Sequence, residues 1–167
     1  LIWTNAAGAS WRVRFDGRGR PIEAHTPVGG QLRHEYDQEG NLVLVVDADG
    51  RETQMTYDGL GRMIYRRRGQ HESHYRYDDR GFLVGQTEAG ITTAYRYDGA
   101  GNLVGERRGS GAEAVYRYGG AHRLVEVTRA NGRSYHLRYD REGQLTTVRD
   151  GSGRAHQFRR GPRGAVH

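Results

Sequence analysis

An aromatic residue recurs along this chain every 19 to 21 residues, and this interval constrains the fold more than any other feature of the sequence. The aromatic positions are Phe15, Tyr36, Tyr57, Tyr77, Tyr97, Tyr118, Tyr139 and Phe158. Aspartate follows directly at Asp16, Asp37, Asp58, Asp78, Asp98 and Asp140, and glycine stands four places after the aromatic at Gly19, Gly40, Gly61, Gly81, Gly101 and Gly143. A fixed interval of this kind is typical of repeat architectures, in which each unit packs mainly against its neighbours.

The aspartate and the glycine of each repeat predict a chain reversal. An aspartate at the entrance of a turn accepts hydrogen bonds from backbone N–H groups further along, and glycine tolerates the positive φ that strains other residues. An apolar residue six or seven places after the aromatic, such as Leu42 or Leu103, predicts the start of the returning strand. β-branched residues such as Val43 and Val104 follow it and favour extended backbone.

The residues before each aromatic alternate in polarity, which predicts strands with one apolar and one polar face. Most positions two places before the aromatic are apolar or tyrosine: Val13, Met55, Tyr75, Tyr95, Tyr116 and Leu137. The position directly before it is arginine at Arg14, Arg76, Arg96, Arg117 and Arg138. A second turn, marked by Asp49-Gly50 and by Asn131-Gly132, separates the two strands of a repeat from the next pair.

The sequence therefore predicts an all-β fold, in which tandem antiparallel β-hairpin repeats of about 20 residues form one continuous curved sheet. A single hairpin is marginal on its own, so we expect stability to be spread over contacts between neighbouring repeats, with the tyrosines on one face. We expect residues 1–167 to be one repeat region of about eight repeats, without a separate second domain.

The pattern lapses in two places. At Tyr118 the aspartate is replaced by Gly119 and the glycine by His122, which leaves the local strand register open. The last unit, which begins at Phe158, lacks the aspartate and has Pro162 in the glycine position. Neither end of the chain looks like a polar cap over a free sheet edge, so we expect this chain to be a segment of a longer protein.

Four segments resemble the YD repeat of the Rhs family: YDQEGNL at 36–42, YDGLGRM at 57–63, YDDRGFL at 77–83 and YDGAGNL at 97–103. The resemblance extends over nearly the whole chain. The family includes bacterial Rhs polymorphic toxins, the shell-forming components of insecticidal toxin complexes, and animal teneurins. The arginine-rich, lysine-free composition favours a bacterial source.

The resemblance implies a β-sheet that spirals into a hollow shell and encloses a C-terminal toxin domain until delivery. The implied partners are the remaining YD repeats of the parent shell and the encapsulated toxin domain. The implied location is outside the producing cell or in a target cell, as part of a larger bacterial protein, with type VI secretion as one route. No segment here resembles the Asp-Pro-x-Gly element near the self-cleaving end of bacterial Rhs cores, so we expect a structural segment and not an enzyme.

The net charge of +6 comes entirely from arginine, because none of the 26 basic residues is lysine. These arginines are spread along the chain among 20 acidic residues. They do not form the clustered basic patch that is typical of nucleic-acid binding, so we do not expect that function. The arginines before the repeat aromatics predict a column on one face. That column is either a solvated surface with acidic neighbours or a basic lining that contacts an anionic cargo or glycan.

A carbohydrate-binding repeat module is the alternative function, because wall-binding repeats also use aromatic hairpins whose rings stack on sugars. Against it, tryptophan occurs only at Trp3 and Trp11. The stretch 1–10 lacks the basic start and apolar run of a signal peptide, and no stretch of about eighteen apolar residues predicts a membrane span.

No catalytic, cofactor-binding or metal-binding residues are predicted. The chain has no cysteine, and His71 and His74, three places apart, would face opposite sides of a strand. The segment from Asp47 to Gly50 has part of a calcium-loop pattern without its final glutamate, so a plain turn is the better interpretation. The repeat motif itself, formed by the aromatic, aspartate and glycine positions, is the predicted structural site.

Overall fold

The structure is a computed structural model that describes residues 1–4 and 8–158, so Pro162 and the rest of the last repeat lie outside the described residues. The described chain forms β-strands joined by turns, with one short 3-10 turn at Gly120–His122. The strands are β1 (Ile2–Thr4), β2 (Ser10–Phe15), β3 (Pro21–His25), β4 (Gln31–Tyr36), β5 (Leu42–Val46), β6 (Glu52–Tyr57), β7 (Met63–Arg68), β8 (His71–Tyr77), β9 (Leu83–Glu88), β10 (Ile91–Tyr97), β11 (Leu103–Arg108), β12 (Ala114–Tyr118), β13 (Leu124–Thr128), β14 (Ser134–Tyr139), β15 (Leu145–Asp150) and β16 (Ala155–Gln157).

The chain divides into two compact units: Leu1–Arg76 with Thr87–Gly90, and Tyr77–Gln86 with Ile91–His167. In the first unit, each strand from β1 to β8 pairs antiparallel with the next strand in the chain. In the second unit, the strands from β10 to β16 do the same. The predicted all-β class and the tandem antiparallel hairpins are confirmed.

The two faces of each sheet differ in burial, as the alternating sequence predicts. In β4 the side chains of Leu32, His34 and Tyr36 are half-buried, whereas Arg33 and Glu35 on the other face are exposed. We call the first surface the tyrosine face, and we call the opposite surface, which carries the residue before each repeat aromatic, the arginine face. Successive strand residues point to opposite sides, and the residue before the repeat aromatic is also exposed in β2, β6, β8, β10, β12 and β14. In the returning strands β5 and β13, by contrast, every residue is half-buried.

Each unit is a single layer, and its burial is correspondingly shallow. Among the described side chains, only Met55, at 8% exposure, and Ser73, at 5%, are buried. Met55 lies two residues before Tyr57 on the tyrosine face, where its neighbours are the adjacent strands. Stability must therefore come from contacts within the plane of the sheet, because the described units contain no second layer to pack on.

A β-bulge accompanies the repeat aromatic in each hairpin that the described pairings cover. In β4 and β5, Glu35 faces Leu44 and Tyr36 faces Leu42, which leaves Val43 as the extra residue. The same shift occurs at Phe15, Tyr57, Tyr97, Tyr118 and Tyr139. A bulge bends the strand and increases its local twist, so the repeat imposes a bend at a constant interval.

The described residues contain no helix with the length and hydropathy needed to cross a bilayer.

Glycine has two functions in the turns, and a pair of variants separates them: Gly101 lies in a repeat turn and Gly132 in a second turn. Gly101 has a φ of +85°, and a Cβ there would meet the tip of the Phe82 ring at 2.8 Å. Gly132 has a φ of +80°, but a Cβ there would meet nothing within 4 Å. We expect Gly132→Ala to lower the free energy of unfolding by about 1 kcal/mol, the cost of a left-handed alanine. Gly101→Ala should cost about 1 to 3 kcal/mol more, because the Phe82 ring must move.

Urea unfolding monitored by circular dichroism measures both glycine variants. Phe82 is stacked on Tyr97, with ring centroids 4.8 Å apart, so its displacement would also weaken that contact. Equal losses in the two variants would show that close packing on the repeat glycine contributes nothing.

Candidate functional site

The aspartate of each repeat turn satisfies the turn's own N–H groups. At Asp58, the backbone N–H donates to the Arg62 carbonyl at 2.9 Å, and the Gly61 N–H donates to the Asp58 carbonyl at 2.9 Å. The Asp58 Oδ1 accepts N–H bonds from Leu60 and Arg62, both at 3.0 Å. Its Oδ2 accepts a bond from Arg62 Nε at 2.7 Å. One carboxylate thus closes the five-residue turn from inside.

These hydrogen bonds favour the ionised carboxylate. The backbone N–H of Arg62 is the largest cause that holds the pKa of Asp58 below its ordinary value of 3.8, although partial desolvation opposes it. At Asp98 the amide of Asn102 is the largest cause of a lowered pKa. The carboxylates of Asp58 and Asp98 are therefore structural anions, whose oxygens accept hydrogen bonds from their own turns.

The same kind of turn also occurs in some of the second turns, which follow the returning strand. Asp47 donates its backbone N–H to the Arg51 carbonyl at 3.0 Å and accepts the N–H groups of Asp49 and Arg51 on its Oδ1. Asp150 forms the same arrangement. The segment from Asp47 to Gly50 is thus a turn whose first carboxylate points at backbone donors, which is the interpretation favoured over a calcium loop.

The repeat tyrosines connect consecutive hairpins through their hydroxyl groups. Tyr57 donates to the carbonyl of Leu42 at 2.9 Å, and Tyr139 donates to the carbonyl of Leu124 at 2.8 Å. Tyr36 and Tyr97 make the corresponding bonds to Pro21 and Leu83. Each acceptor is the first residue of a strand in the preceding repeat, 14 or 15 residues earlier. Desolvation raises the pKa of Tyr57, in keeping with a neutral hydroxyl that acts as a donor.

The residue after the repeat glycine packs onto the glycine of the next turn. The nearest atoms to a Cβ built on the next glycine belong to Arg20 at Gly40, Asn41 at Gly61, Phe82 at Gly101 and Arg123 at Gly143. These side chains have little chemistry in common. They share only a position opposite a residue without a side chain, so at these four glycines one turn accommodates a side chain of the turn before it. At Gly19 and Gly81 a Cβ would meet nothing within 4 Å.

Arginines within the turns add bonds between consecutive turns. Arg18 donates from Nη1 to the carbonyl of Gln38 at 3.0 Å, and Arg80 donates from Nη1 to the carbonyl of Asp98 at 2.9 Å. Both arginines occupy the second place after the repeat aspartate. The Arg20 guanidinium also lies over the ring of Tyr36, 4.4 Å from its centroid.

The lapsed repeat keeps the register that the sequence left open. Arg117 faces Glu126 and Tyr118 faces Leu124, and Gly119 donates its N–H to the Arg123 carbonyl at 2.8 Å, as the aspartates do elsewhere. His122 takes the glycine position with a φ of 54°. Its Nδ1 lies 2.7 Å from the Oδ1 of Asn102, the residue after the preceding repeat glycine. A side-chain hydrogen bond therefore replaces the usual packing onto glycine.

The arginine face is partly neutralised by glutamates. Arg14 pairs with Glu23 at 2.6 Å, and Arg117 lies 3.4 Å from Glu126 on the facing strand. Arg96 reaches Glu113 at 3.0 Å, and a Cβ at Gly105 would collide with both side chains of that pair. These pairs are exposed, so each adds little stability, but they determine where positive charge stays uncompensated.

The structure distributes the predicted motif residues in a regular way. The aromatics end strands: Phe15, Tyr36, Tyr57, Tyr77, Tyr97, Tyr118 and Tyr139. The aspartates begin the following turns: Asp16, Asp37, Asp58, Asp78, Asp98 and Asp140. The glycines occupy the left-handed position of those turns: Gly19, Gly40, Gly61, Gly81, Gly101 and Gly143. Phe15 differs from the tyrosines because it has no hydroxyl and is 43% exposed.

The histidines nearest to each other in the sequence do not share a face of the sheet. His71 and His74 both lie in β8, where residues three apart point to opposite faces. Within residues 1–4 and 8–158, no group of three or more histidine, aspartate or glutamate side chains is placed to hold a metal ion.

Sequence reasoning missed two features of the site. The bulge residue and the side chain that packs onto the next glycine have fixed positions in the repeat, but their chemistry varies. The hydrogen bond of the tyrosine hydroxyl could have been predicted from the sequence. Tyrosine occupies most of the repeat aromatic positions, although phenylalanine would pack equally well there, and this preference indicates a role for the hydroxyl.

Known proteins share the repeat and the fold described above. The family model of the teneurin YD-shell matches residues 32–162. The crystal structure of TcdB2-TccC3-Cdc42 is similar at 18% identity with a TM-score of 0.78, over 95% of this chain and 10% of that chain. A structure of TcdB2-TccC3 without its hypervariable C-terminal region is similar at 18% identity with a TM-score of 0.77, over 95% of this chain and 10% of that one.

A structure of the Photorhabdus luminescens Tc holotoxin pore is similar at 17% identity with a TM-score of 0.74, over 90% of this chain and 9% of that chain. At these identities the likeness concerns the fold alone. This chain spans about a tenth of the length of the solved chains it resembles. No curated protein sequence matches it.

The hydroxyl bond between repeats can be tested at Tyr57. We expect Tyr57→Phe to lower the free energy of unfolding by about 1 kcal/mol, because the Leu42 carbonyl loses its donor while the ring remains. Tyr65→Phe is the matched control, since its hydroxyl bonds to the exposed carboxylate of Glu72. Urea denaturation of both variants is the measurement. A control loss as large as the Tyr57 loss would contradict a special role for the bond between repeats.

The turn carboxylates predict a specific acid sensitivity. Because the folded pKa of Asp58 is below 3.8, its stabilisation is complete above that value and is lost as the pH falls through the folded pKa. Asp58→Asn keeps an oxygen acceptor but removes the charge. We expect the thermal midpoint of the variant to lie below that of the wild type at pH 7, with the gap closing as the pH falls through the folded pKa of Asp58.

Asp79→Asn, beside the repeat aspartate of the next turn, is the control and should leave the midpoint at pH 7 almost unchanged. A gap between Asp58→Asn and wild type that stays constant from pH 7 to pH 2 would exclude an ionised carboxylate as the stabilising group.

Proposed function

We propose that this chain, which belongs to the teneurin YD-shell family, is a structural segment of a YD-repeat shell that encloses a C-terminal toxin domain and is delivered with it. The observation that carries the proposal is the single-layer array of hairpins, in which the hydroxyls of four repeat tyrosines, the turn arginines and the packing onto glycine join one repeat to the next. An array of this kind can be lengthened without changing its contacts, which is what a wall requires.

A wall needs strength within its plane more than a core. The tyrosine hydroxyls, the turn arginines and the packing on glycine all act along the sheet, while burial is limited to Met55 and Ser73 among the described side chains. The bulge at each repeat bends the strands at regular intervals. These features support a curved partition better than a compact binding domain.

The role we propose is mechanical and needs no cofactor. The aspartates, which are the natural candidates for acid-base chemistry, have their oxygens occupied by turn N–H groups, as at Asp58 and Asp98. We also propose that residues 1–167 form one repeat region of about eight repeats, in which the motif residues serve structure alone.

The proposed partners are the other YD repeats of the parent shell and the enclosed toxin domain. Support for the toxin comes from the solved structures of similar fold, one of which is a Tc holotoxin pore. We propose that the assembly leaves the producing cell as part of a larger bacterial protein, by a route such as type VI secretion.

The rival function, sugar binding, finds less support. Stacking on a sugar requires an open aromatic ring, and among the described side chains Phe15 is the one aromatic residue that is more than a third exposed. The repeat tyrosines are half-buried, and several donate their hydroxyls to backbone carbonyls. A nucleic-acid role would require binding that falls steeply with salt.

The native protein, purified from its own cell, tests the shell proposal. Mass spectrometry under denaturing conditions reports cleavage, and native mass spectrometry reports retained partners. We expect this segment within a longer chain, or held tightly by other fragments, together with a cargo that resists protease until the shell is unfolded. A solitary 18.8 kDa monomer, or a cargo digested as fast as free polypeptide, would contradict the proposal.

A further inference from the structure

The arginine face of the second unit carries a polar groove formed across three strands. His136 and Arg138 lie on β14, Thr147 and Arg149 on β15, and Gln157 on β16. His136 faces Arg149, Arg138 faces Thr147, and Thr147 faces Gln157. Directly facing residues point to the same side of a sheet, so the five side chains share one surface. Together with Glu126, they line a pocket of about 500 Å³.

The two arginines of this groove are not paired with a carboxylate. On the arginine face of the first unit, Arg14 is opposite Glu23 and pairs with it at 2.6 Å. In the groove, Arg138 is opposite Thr147 and Arg149 is opposite His136. Within the described residues neither Arg138 nor Arg149 has an acidic partner.

The nearest glutamate is already engaged. Glu126 faces His136 across the sheet, but its Oε2 lies 3.4 Å from Nη1 of Arg117. Two exposed guanidinium groups and an imidazole therefore share this pocket with one carboxylate, that of Glu126, which pairs with Arg117 and with neither Arg138 nor Arg149. Like charges on neighbouring strands repel each other, and an anionic ligand would relieve that repulsion.

The spacing of the arginines indicates the form of the ligand. Arg138 and Arg149 are diagonal neighbours, which places their Cα atoms about 7 to 8 Å apart and their Cβ atoms somewhat closer. In an extended peptide, side chains two residues apart point to the same side and are separated by about 6.6 Å. Arginine binds a carboxylate through two parallel N–H bonds, so each guanidinium can take one such side chain.

We propose that this groove binds an extended acidic peptide segment with two carboxylates at alternate positions, one on Arg138 and one on Arg149. Thr147 and Gln157 supply hydroxyl and amide groups that hydrogen-bond the segment between them. The inference rests on the proposed function, because the enclosed polypeptide is the partner that would present the segment. It gives the cargo a chemical feature, an alternating acidic strand, that the shell function alone does not specify.

The test uses the full chain, labelled with ¹⁵N, and the peptide Gly-Ser-Glu-Gly-Glu-Ser-Gly, with the glutamine analogue as a neutral probe. We expect amide shifts centred on Arg138, Thr147 and Arg149 with the glutamate peptide, and none with the neutral probe. The double variant Arg138→Gln and Arg149→Gln should weaken binding at least about tenfold. Arg14→Gln, on the same type of face, should change it less than about twofold.

A charge-reversal variant distinguishes a loss of binding from a loss of folding. Arg149→Glu should lose the glutamate peptide and gain affinity for a peptide with lysine in place of its second glutamate, and circular dichroism checks that each variant folds. Unchanged binding by the double variant, or equal binding of the neutral probe, would overturn the proposal.

Binding of a sulfated oligosaccharide or of DNA at these amides, without the glutamate peptide, would also overturn the acidic peptide as occupant. The shell function is judged separately by protease resistance of the native cargo, so a failed peptide titration with a protected cargo rejects this inference alone.

Discussion

A sheet one layer thick has no interior, and this constraint governs the rest of the structure. Hydrophobic burial is the main source of stability in most domains, but it needs two surfaces that face each other. Here the described residues bury little more than Met55 and Ser73. Stability must instead be assembled from contacts between neighbouring strands, and a sequence that repeats every 19 to 21 residues supplies the same contacts again and again.

Three kinds of contact fulfil that requirement, and each uses a different part of the repeat. The aspartate closes its own turn, the tyrosine hydroxyl bonds to the preceding hairpin, and the residue after the glycine packs on the following turn. The glycine is required twice, once for its positive φ and once for the space it leaves. The repeat at His122 shows how far the pattern can depart, because a hydrogen bond to Asn102 replaces that packing.

The sequence was sufficient to predict the strands, both sets of turns and the polarity of the two faces, because each depends on residue types at fixed positions. The sequence could not predict the bulges, because a valine such as Val43 fits a regular strand as well as a bulged one. Nor could the sequence show that Arg20, Asn41 and Phe82 each pack on the glycine of the next turn, because these residues share a position in the repeat and not a chemical property. The uncompensated charge at Arg138 and Arg149 also needed the strand register, which determines which residue each arginine faces.

Native-state hydrogen exchange, resolved by residue, tests the central claim that stability lies in contacts between neighbouring repeats. The account predicts that amides differ in their free energy of opening from hairpin to hairpin, and that Tyr57→Phe lowers protection mainly in β5, β6 and the turn between β4 and β5. A single opening energy shared by all strands, lowered everywhere by that one substitution, would contradict it and would indicate one cooperative core.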